Sequence, residues 1–240
     1  MSTRHDEVAE ILTGEILRGR YRPGDRLPSE RELAARFQVH RGGVREALKK
    51  LEQLGLADVQ PGGARVMAVH ESSLEVIGRL MDLDEVPDPD LIEQVLELTG
   101  ALMKLAVERA LERASDAEIT EIRALVARLA RDELSAGQRM EARMELVQRF
   151  MELSGNLPLR LIARSLKLQL FARAPRTRAF LERQPEEGYA YLPELDRALA
   201  ERDIGTVTSM MQRLSNRNRE QLLNTLRAAR EARVTRRASS

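Results

Sequence analysis

Residues 29–51, "SERELAARFQVHRGGVREALKKL", squeeze two short helices against a very short connection, and few folds accommodate that. Ser29 and Glu32 have the S-x-x-E spacing of a capping box, in which each side chain satisfies an orphan amide of the other residue, so a helix starts at that serine. "FQVH" leaves only a tight turn before apolar residues resume at helical spacing with Val44, Ala47, Leu48 and Leu51. Arg41, Arg45 and Lys49 recur every fourth residue on another face. Two short helices joined in this way, the second cationic on its open side, make a helix-turn-helix. Its oddity is the pair Gly42 and Gly43 at the start of the second helix, since glycine disfavours helix by up to about 1 kcal/mol relative to Ala.

The flanking segments extend the motif. Upstream, "DEVAEILTGEILRG" (6–19) sets Val8, Ile11, Leu12, Ile16 and Leu17 on one helical face, and "RYRPGDRLPS" then interrupts it with Pro23, Gly24 and Pro28. Downstream, "LGLADVQPGGARVMAV" alternates apolar and polar residues around Pro61, Gly62 and Gly63, which predicts a two-stranded hairpin with a glycine tip and Arg65 beside it. A helix-turn-helix followed by such a hairpin is a winged helix. A short helix is expected at 73–83, and the acidic "DEVPDPD" reads as a linker. Helical periodicity then covers 89–113, 116–132, 135–153, 156–173, 187–202 and 203–230, with Asp90, Asp116, Asn156 and Asp203 at caps or first turns. The fold class is therefore mainly α: an N-terminal winged helix-turn-helix domain (1–70), a linker with a short helix (71–88), a C-terminal antiparallel α-helical bundle (89–232) and a polar tail (233–240) expected to be disordered.

Charge and residue usage narrow the function. Charged residues are 32% of the 240 positions but balance to a net +1, so attraction to nucleic acid has to come from local clustering. The absence of cysteine excludes disulfides, thiolate metal sites and cysteine nucleophiles. His5, His40 and His70 are the only histidines. No apolar run approaches a membrane span, and the N-terminus lacks a signal peptide's apolar stretch, so a cytoplasmic protein with no membrane partner is expected.

The stretch "GRYRPGDRLPSERELAARFQVHRGGVREALKKLEQLGLADVQPGGARV" resembles the DNA-binding head of GntR-family bacterial transcriptional regulators. The remainder resembles the FadR-like subfamily with its FCD effector domain, through "LAVERALE", "ELSGNLPLRLI" and "LDRALAERD". The resemblance implies a homodimer on a double-stranded DNA operator. Within the head it implies that Arg31 touches DNA backbone and base edges, that Arg41 and Arg45 are the principal recognition-helix arginines, and that Gly62 dips toward the minor groove. Arginine chemistry agrees, because its planar fork matches the O6 and N7 of guanine. Lys49 and Arg65 are further contact candidates. Positions 40, 42 and 43, usually small hydroxyl residues in the family, are His40, Gly42 and Gly43 here. The glycines would let backbone amides approach a phosphate at the positive end of the helix, and His40 would cap that helix or donate to the DNA backbone.

Many FCD domains hold a divalent metal with one Asp and three His. Here the corresponding positions carry Arg143, Val147, Leu192 and Leu214, so neither metal nor other cofactor is expected. With Met151, these residues predict an apolar effector pocket suited to an acyl or carboxylate compound, Arg143 pairing with an anionic head group. A second reading makes these residues ordinary core, sealing the domain and leaving regulation free of any effector. A third, an enzyme carrying a winged-helix head, finds no histidine, cysteine or phosphate loop in the C-terminal part, only scattered carboxylates and tyrosines such as Tyr189 and Tyr191.

Overall fold

The computed structural model describes residues 4–131, 133–171, 174–177 and 190–238. The chain divides into two compact units, Met1–Glu85 with Gln169–Pro175, and Val86–Leu168 with Arg176–Ser240.

In the first unit, α1 (Arg4–Leu17) packs on α3 (Arg41–Gln53), which also packs on α2 (Glu30–Phe37). The α1 face expected from sequence is buried at Val8, Leu12 and Ile16, but Ile11 is 47% exposed, because the buried stripe swings instead to Ala9 and Thr13. The capping box of α2 is present: the Glu32 amide donates to Ser29 Oγ (3.3 Å) and the Ser29 amide to Glu32 Oε2 (2.8 Å). Gln38 then closes α2 with a left-handed backbone (φ 54°), and its amide-side turn returns the chain into α3 within three residues. Val44, Ala47, Leu48 and Leu51 are all buried against this core, as their spacing requires.

The wing is β1 (Ala57–Gln60) paired antiparallel with β2 (Gly63–Val66), Gln60 facing Gly63 across the Pro61–Gly62 tip. Proline presets its own φ, and Gly62 and Gly63 adopt φ of 112° and 139°, which side chains disfavour. The segment read from sequence as a plain loop also joins this sheet. The Leu27 amide donates to the Ala64 carbonyl (2.9 Å) and the Val66 amide to the Asp25 carbonyl (3.0 Å). A short 3-10 turn, Val69–Glu71, leads to α4 (Val76–Met81), whose Val76 lies in the same core as α1 and α3. The short helix expected within the linker is thus packed into the head.

The second unit is a helical bundle of α5 (Pro89–Arg113), α6 (Asp116–Leu129), α7 (Ala136–Leu153), α8 (Leu157–Phe171, up to Leu168), α9 (Leu192–Ala200) and α10 (Ile204–Ala238). Serines do much of the capping: Ser115 and Ser135 form capping boxes with Glu118 and Gln138, so Asp116 occupies the first turn behind its cap. Asp88 caps α5, while Asn156 Oδ1 accepts from the Leu159 amide (3.1 Å) and Asp203 Oδ1 from the Thr206 amide (3.0 Å). Helix α5 packs on α7 and α10, α6 on α7 and α9, and the core centres on Phe150, Ile122, Leu129 and Leu195, all nearly inaccessible. Helix α10 runs on through Ala238, so residues 233–238, expected to be a disordered tail, are helical. Positions 132, 172–173, 187–189 and 239–240, at expected helix ends and in the tail, lie outside the described residues, and Tyr189 with them.

Candidate nucleic-acid interface

The open side of the helix-turn-helix is built by α2 and the first turns of α3. Arg41 is the first residue of α3 and Arg31 the second of α2; both are exposed, and neither makes a hydrogen bond or ion pair among the described residues. Arg45, one turn beyond Arg41, is differently placed. Its Nε donates to both carboxylate oxygens of Glu30, at 2.9 Å each, while its two Nη groups make no hydrogen bond among the described residues. That hydrogen bond, with the carboxylate's charge, raises the Arg45 pKa further above its ordinary value. Lys49 pairs with Glu46 at 2.9 Å, and its neighbour Lys50 turns back to Asp6 of α1.

At the start of α3, His40 holds the N-cap position but its side chain makes no capping hydrogen bond, so the local cap expected of it is not formed. The first amides of a helix have no intrahelical acceptor, and without a side-chain cap those of α3 remain available as donors. The glycines beside them are not demanded by packing. A Cβ on Gly42 would meet nothing within 4 Å, and one on Gly43 would meet only His5 Cβ and Val39 Cβ at 3.9 Å, an ordinary contact.

The wing is braced by two arginines. Arg65 Nη1 donates to the Gly24 carbonyl (2.9 Å), tying the base of β2 to the preceding segment. Arg26, which sequence reasoning missed, donates from Nη2 to the Gly62 carbonyl (2.7 Å) and so fixes the tip. Its signal in the sequence was weak: one arginine among several in a turn-rich stretch. Behind the interface, Glu15 of α1 is held below its usual carboxylate range by its hydrogen bond to Arg36 and the charges of Arg36 and Arg20, which pins α2 to α1.

In the second unit, Arg143, Val147 and Met151 are half-buried and follow one another at one-turn spacing along α7. Leu192 is 2% exposed inside the core cluster, and Leu214 is half-buried on α10. A wide-mouthed notch of about 500 Å³ opens elsewhere, between Arg109 and Arg113 of α5 and the Ser154–Pro158 turn, and none of these five residues lines it. Arg143 Nη2 donates to Met140 Sδ (3.0 Å), while Glu145, a partner the sequence offers, is taken by Arg128. The set Arg143, Val147, Leu192 and Leu214 offers no oxygen or imidazole nitrogen, so it does not fit a divalent cation. Sequence reasoning also missed Thr208, a buried hydroxyl with no hydrogen-bond partner among the described residues.

A braced wing beside a cationic helix-turn-helix, followed by an all-helical bundle, defines a winged-helix protein with a C-terminal helical domain. Family comparison gives that class a name. The chain belongs to the GntR family of bacterial regulatory proteins: the family's model matches residues 4–66 and that of the FCD domain residues 94–217. Among curated relatives, the HTH-type transcriptional regulator Mce2R of Mycobacterium tuberculosis is 33% identical over 119 residues, 49% of each chain. The HTH-type transcriptional repressor NanR of Citrobacter rodentium is 38% identical over 114 residues, 47% of this chain and 44% of that one. The chain thus spans about half the length of the curated relatives it matches. A solved structure of Lar, described as controlling expression of the Listeria monocytogenes agr system, shares the fold with a TM-score of 0.58 at 16% identity, over 93% of this chain and 98% of that one. No helix among the described residues is long and apolar enough to cross a membrane.

Proposed function

We propose that this protein is a sequence-specific DNA-binding transcriptional regulator that acts as a homodimer on a pseudo-palindromic operator. The observation that carries this reading is the guanidinium group of Arg41, exposed and unpartnered among the described residues at the first turn of a helix whose apolar face is fully committed to the core. Arg31 adds a second such cation, and Gly42 and Gly43 keep the adjacent amides unobstructed. Arg41 and Arg45 read base edges in the major groove, the glycine amides and Arg31 hold phosphates, and the wing tip at Gly62 enters the minor groove. His40, Lys49 and Arg65 contribute at the backbone. Replacing Arg41 by Ala removes operator preference while the protein stays folded and dimeric; undiminished preference in a mobility-shift titration against random duplex refutes the reading.

The second copy is supported by α8. Leu157, Leu161, Ile162 and Leu168 are exposed there, at 61%, 57%, 43% and 50%, beside Arg160, Arg164 and Lys167, which have no partner among the described residues. Helix α5 presents exposed Leu98 and Leu105 with the carboxylate of Glu97, which has no partner among the described residues. A patch of this kind covers about 300–600 Å² on a monomer, and doubled across a twofold axis it reaches the roughly 1,000 Å² that a specific interface needs. The complementary charges favour α8 of one copy against α5 of the other.

For the helical domain, the half-buried guanidinium of Arg143, with Met140 sulfur as its neighbour and no carboxylate partner among the described residues, supports an acyl or carboxylate effector bound without metal beside Val147 and Met151. The burial of Leu192 in the core favours the other reading, a sealed domain that only dimerises. Native mass spectrometry of the purified protein separates them: a co-purifying acidic lipid or acyl compound, lost in Arg143→Ala, supports the first, and its absence under acyl-compound saturation supports the second.

A further inference from the structure

The contact between Glu30 and Arg45 crosses from one helix of the motif to the other, and the family match says nothing of it. Glu30 is the first residue of α2, directly after the Ser29 cap, and its carboxylate lies where α3 passes on its second turn. Both its oxygens accept from the single Nε–H of Arg45 at 2.9 Å. The pair is open to solvent, with side-chain exposures of 36% for Glu30 and 63% for Arg45. An exposed pair of this sort contributes little to folding, so stability does not explain it. What it does is directional. A guanidinium is planar and rigid, so fixing Nε fixes the plane, and the two Nη groups are left pointing away from the carboxylate.

We propose that Glu30 is a positioning residue for Arg45, holding Nε so that the two Nη groups form a preset end-on fork that decides which base is read at that step of the operator. The inference rests on the DNA-reading function proposed above. Three consequences distinguish Arg45 from its neighbours. Arg41 and Arg31 carry no such partner among the described residues, so each has to order its side chain on docking, whereas Arg45 has lost that freedom beforehand. With Nε occupied, the side-on approach that uses Nε and one Nη together is closed, and only the end-on pair can meet the O6 and N7 of a guanine. The carboxylate also offsets the attraction of Arg45 to phosphates, so this cation adds to discrimination more than to non-specific affinity.

The test is selection from a randomised duplex library with the full-length protein, its Arg45→Ala, Glu30→Ala and Glu30→Gln variants, and thermal denaturation of each. Wild type enriches a half-site in which one position loses its preference in Arg45→Ala. Glu30→Ala loses the preference at that same position by about tenfold or more, the scale of one bidentate base contact. It binds random duplex as well as wild type or better, with its melting temperature unchanged. Glu30→Gln, which keeps one oxygen acceptor for Nε, recovers part of the preference. Retention of the Arg45-dependent preference in Glu30→Ala overturns the assignment and leaves the DNA-reading function standing. Loss of preference at every position together with a lowered melting temperature in both Glu30 variants also overturns it, in favour of a structural role. A wild-type protein that enriches no motif overturns both.

Discussion

Replacing Gly42 and Gly43 together by Ala should make the free protein more stable and its DNA complex weaker, two effects of opposite sign from one change. The stability effect follows from local geometry. Both residues lie in the first turn of α3 with helical backbone, neither has a positive φ, and a Cβ at either meets no atom closer than 3.9 Å. Nothing has to move, so the substitution removes unfolded-state freedom without adding strain. Glycine costs roughly 0.5–1 kcal/mol per helical position relative to Ala; allowing for the first turn, the pair should yield about 1 kcal/mol. For a winged-helix unit of this size that corresponds to a rise of about 4–8 °C in melting temperature, readable by circular dichroism on the full chain. The binding effect has the other sign. Two new methyl groups stand beside the unsatisfied amides of α3, and each amide-to-phosphate hydrogen bond lost is worth about 1.5–3 kcal/mol, so affinity should fall by about tenfold or more. A stabilised variant that binds operator DNA as tightly as wild type refutes the proposed phosphate approach. A destabilised one refutes the packing argument.

Three other outcomes follow from the described contacts. Glu15 has its carboxyl held below the ordinary value of 4.5 by the Arg36 hydrogen bond, so its contribution is complete above that value and disappears as pH falls through the lowered folded-state pKa. Glu15→Gln should therefore lose stability near neutral pH, and chemical denaturation across acid pH should show its deficit shrinking as pH falls. Phe150→Ala empties a fully buried site in the bundle core and should cost about 3–5 kcal/mol in urea unfolding, with the winged-helix transition unchanged. Leu161→Glu places a carboxylate in the middle of the exposed α8 face and should shift the protein toward monomer in analytical ultracentrifugation without changing its helix content.

Local chemistry explains how much of this was readable from sequence. The Ser29–Glu32 capping box and the buried face of α3 were legible because each depends on residues within a turn or two of one another. The start of α6 at Asp116 was legible for the same reason, although Ser115, which supplies the cap itself, was not singled out, since two adjacent polar residues both satisfy the cap rule and only backbone geometry separates cap from first turn. Ile11 shows the limit of periodicity: a five-residue apolar stripe is wider than the groove it meets, and the residue at its edge stays outside. The contacts that shape the interface were not legible at all. Glu30 meeting Arg45, and Arg26 meeting the Gly62 carbonyl, join residues 15 and 36 positions apart, and no pattern of spacing predicts which cation reaches which oxygen once helices and hairpin are packed. In the helical domain the sequence offered Arg143 the nearby carboxylate of Glu145, and a competing cation, Arg128, took it.

The two arginine struts under the hairpin have a consequence for how an operator is measured. With its tip and its base both tied to the 24–26 segment, the hairpin is held to the chain that leads into α2, so in the proposed complex head and hairpin would span a duplex like callipers locked at one width. If the proposed operator reading holds, such a tool would register groove dimensions as well as letters: a sequence whose narrow groove lies a little out of place would be rejected by distance alone, before any base edge is compared.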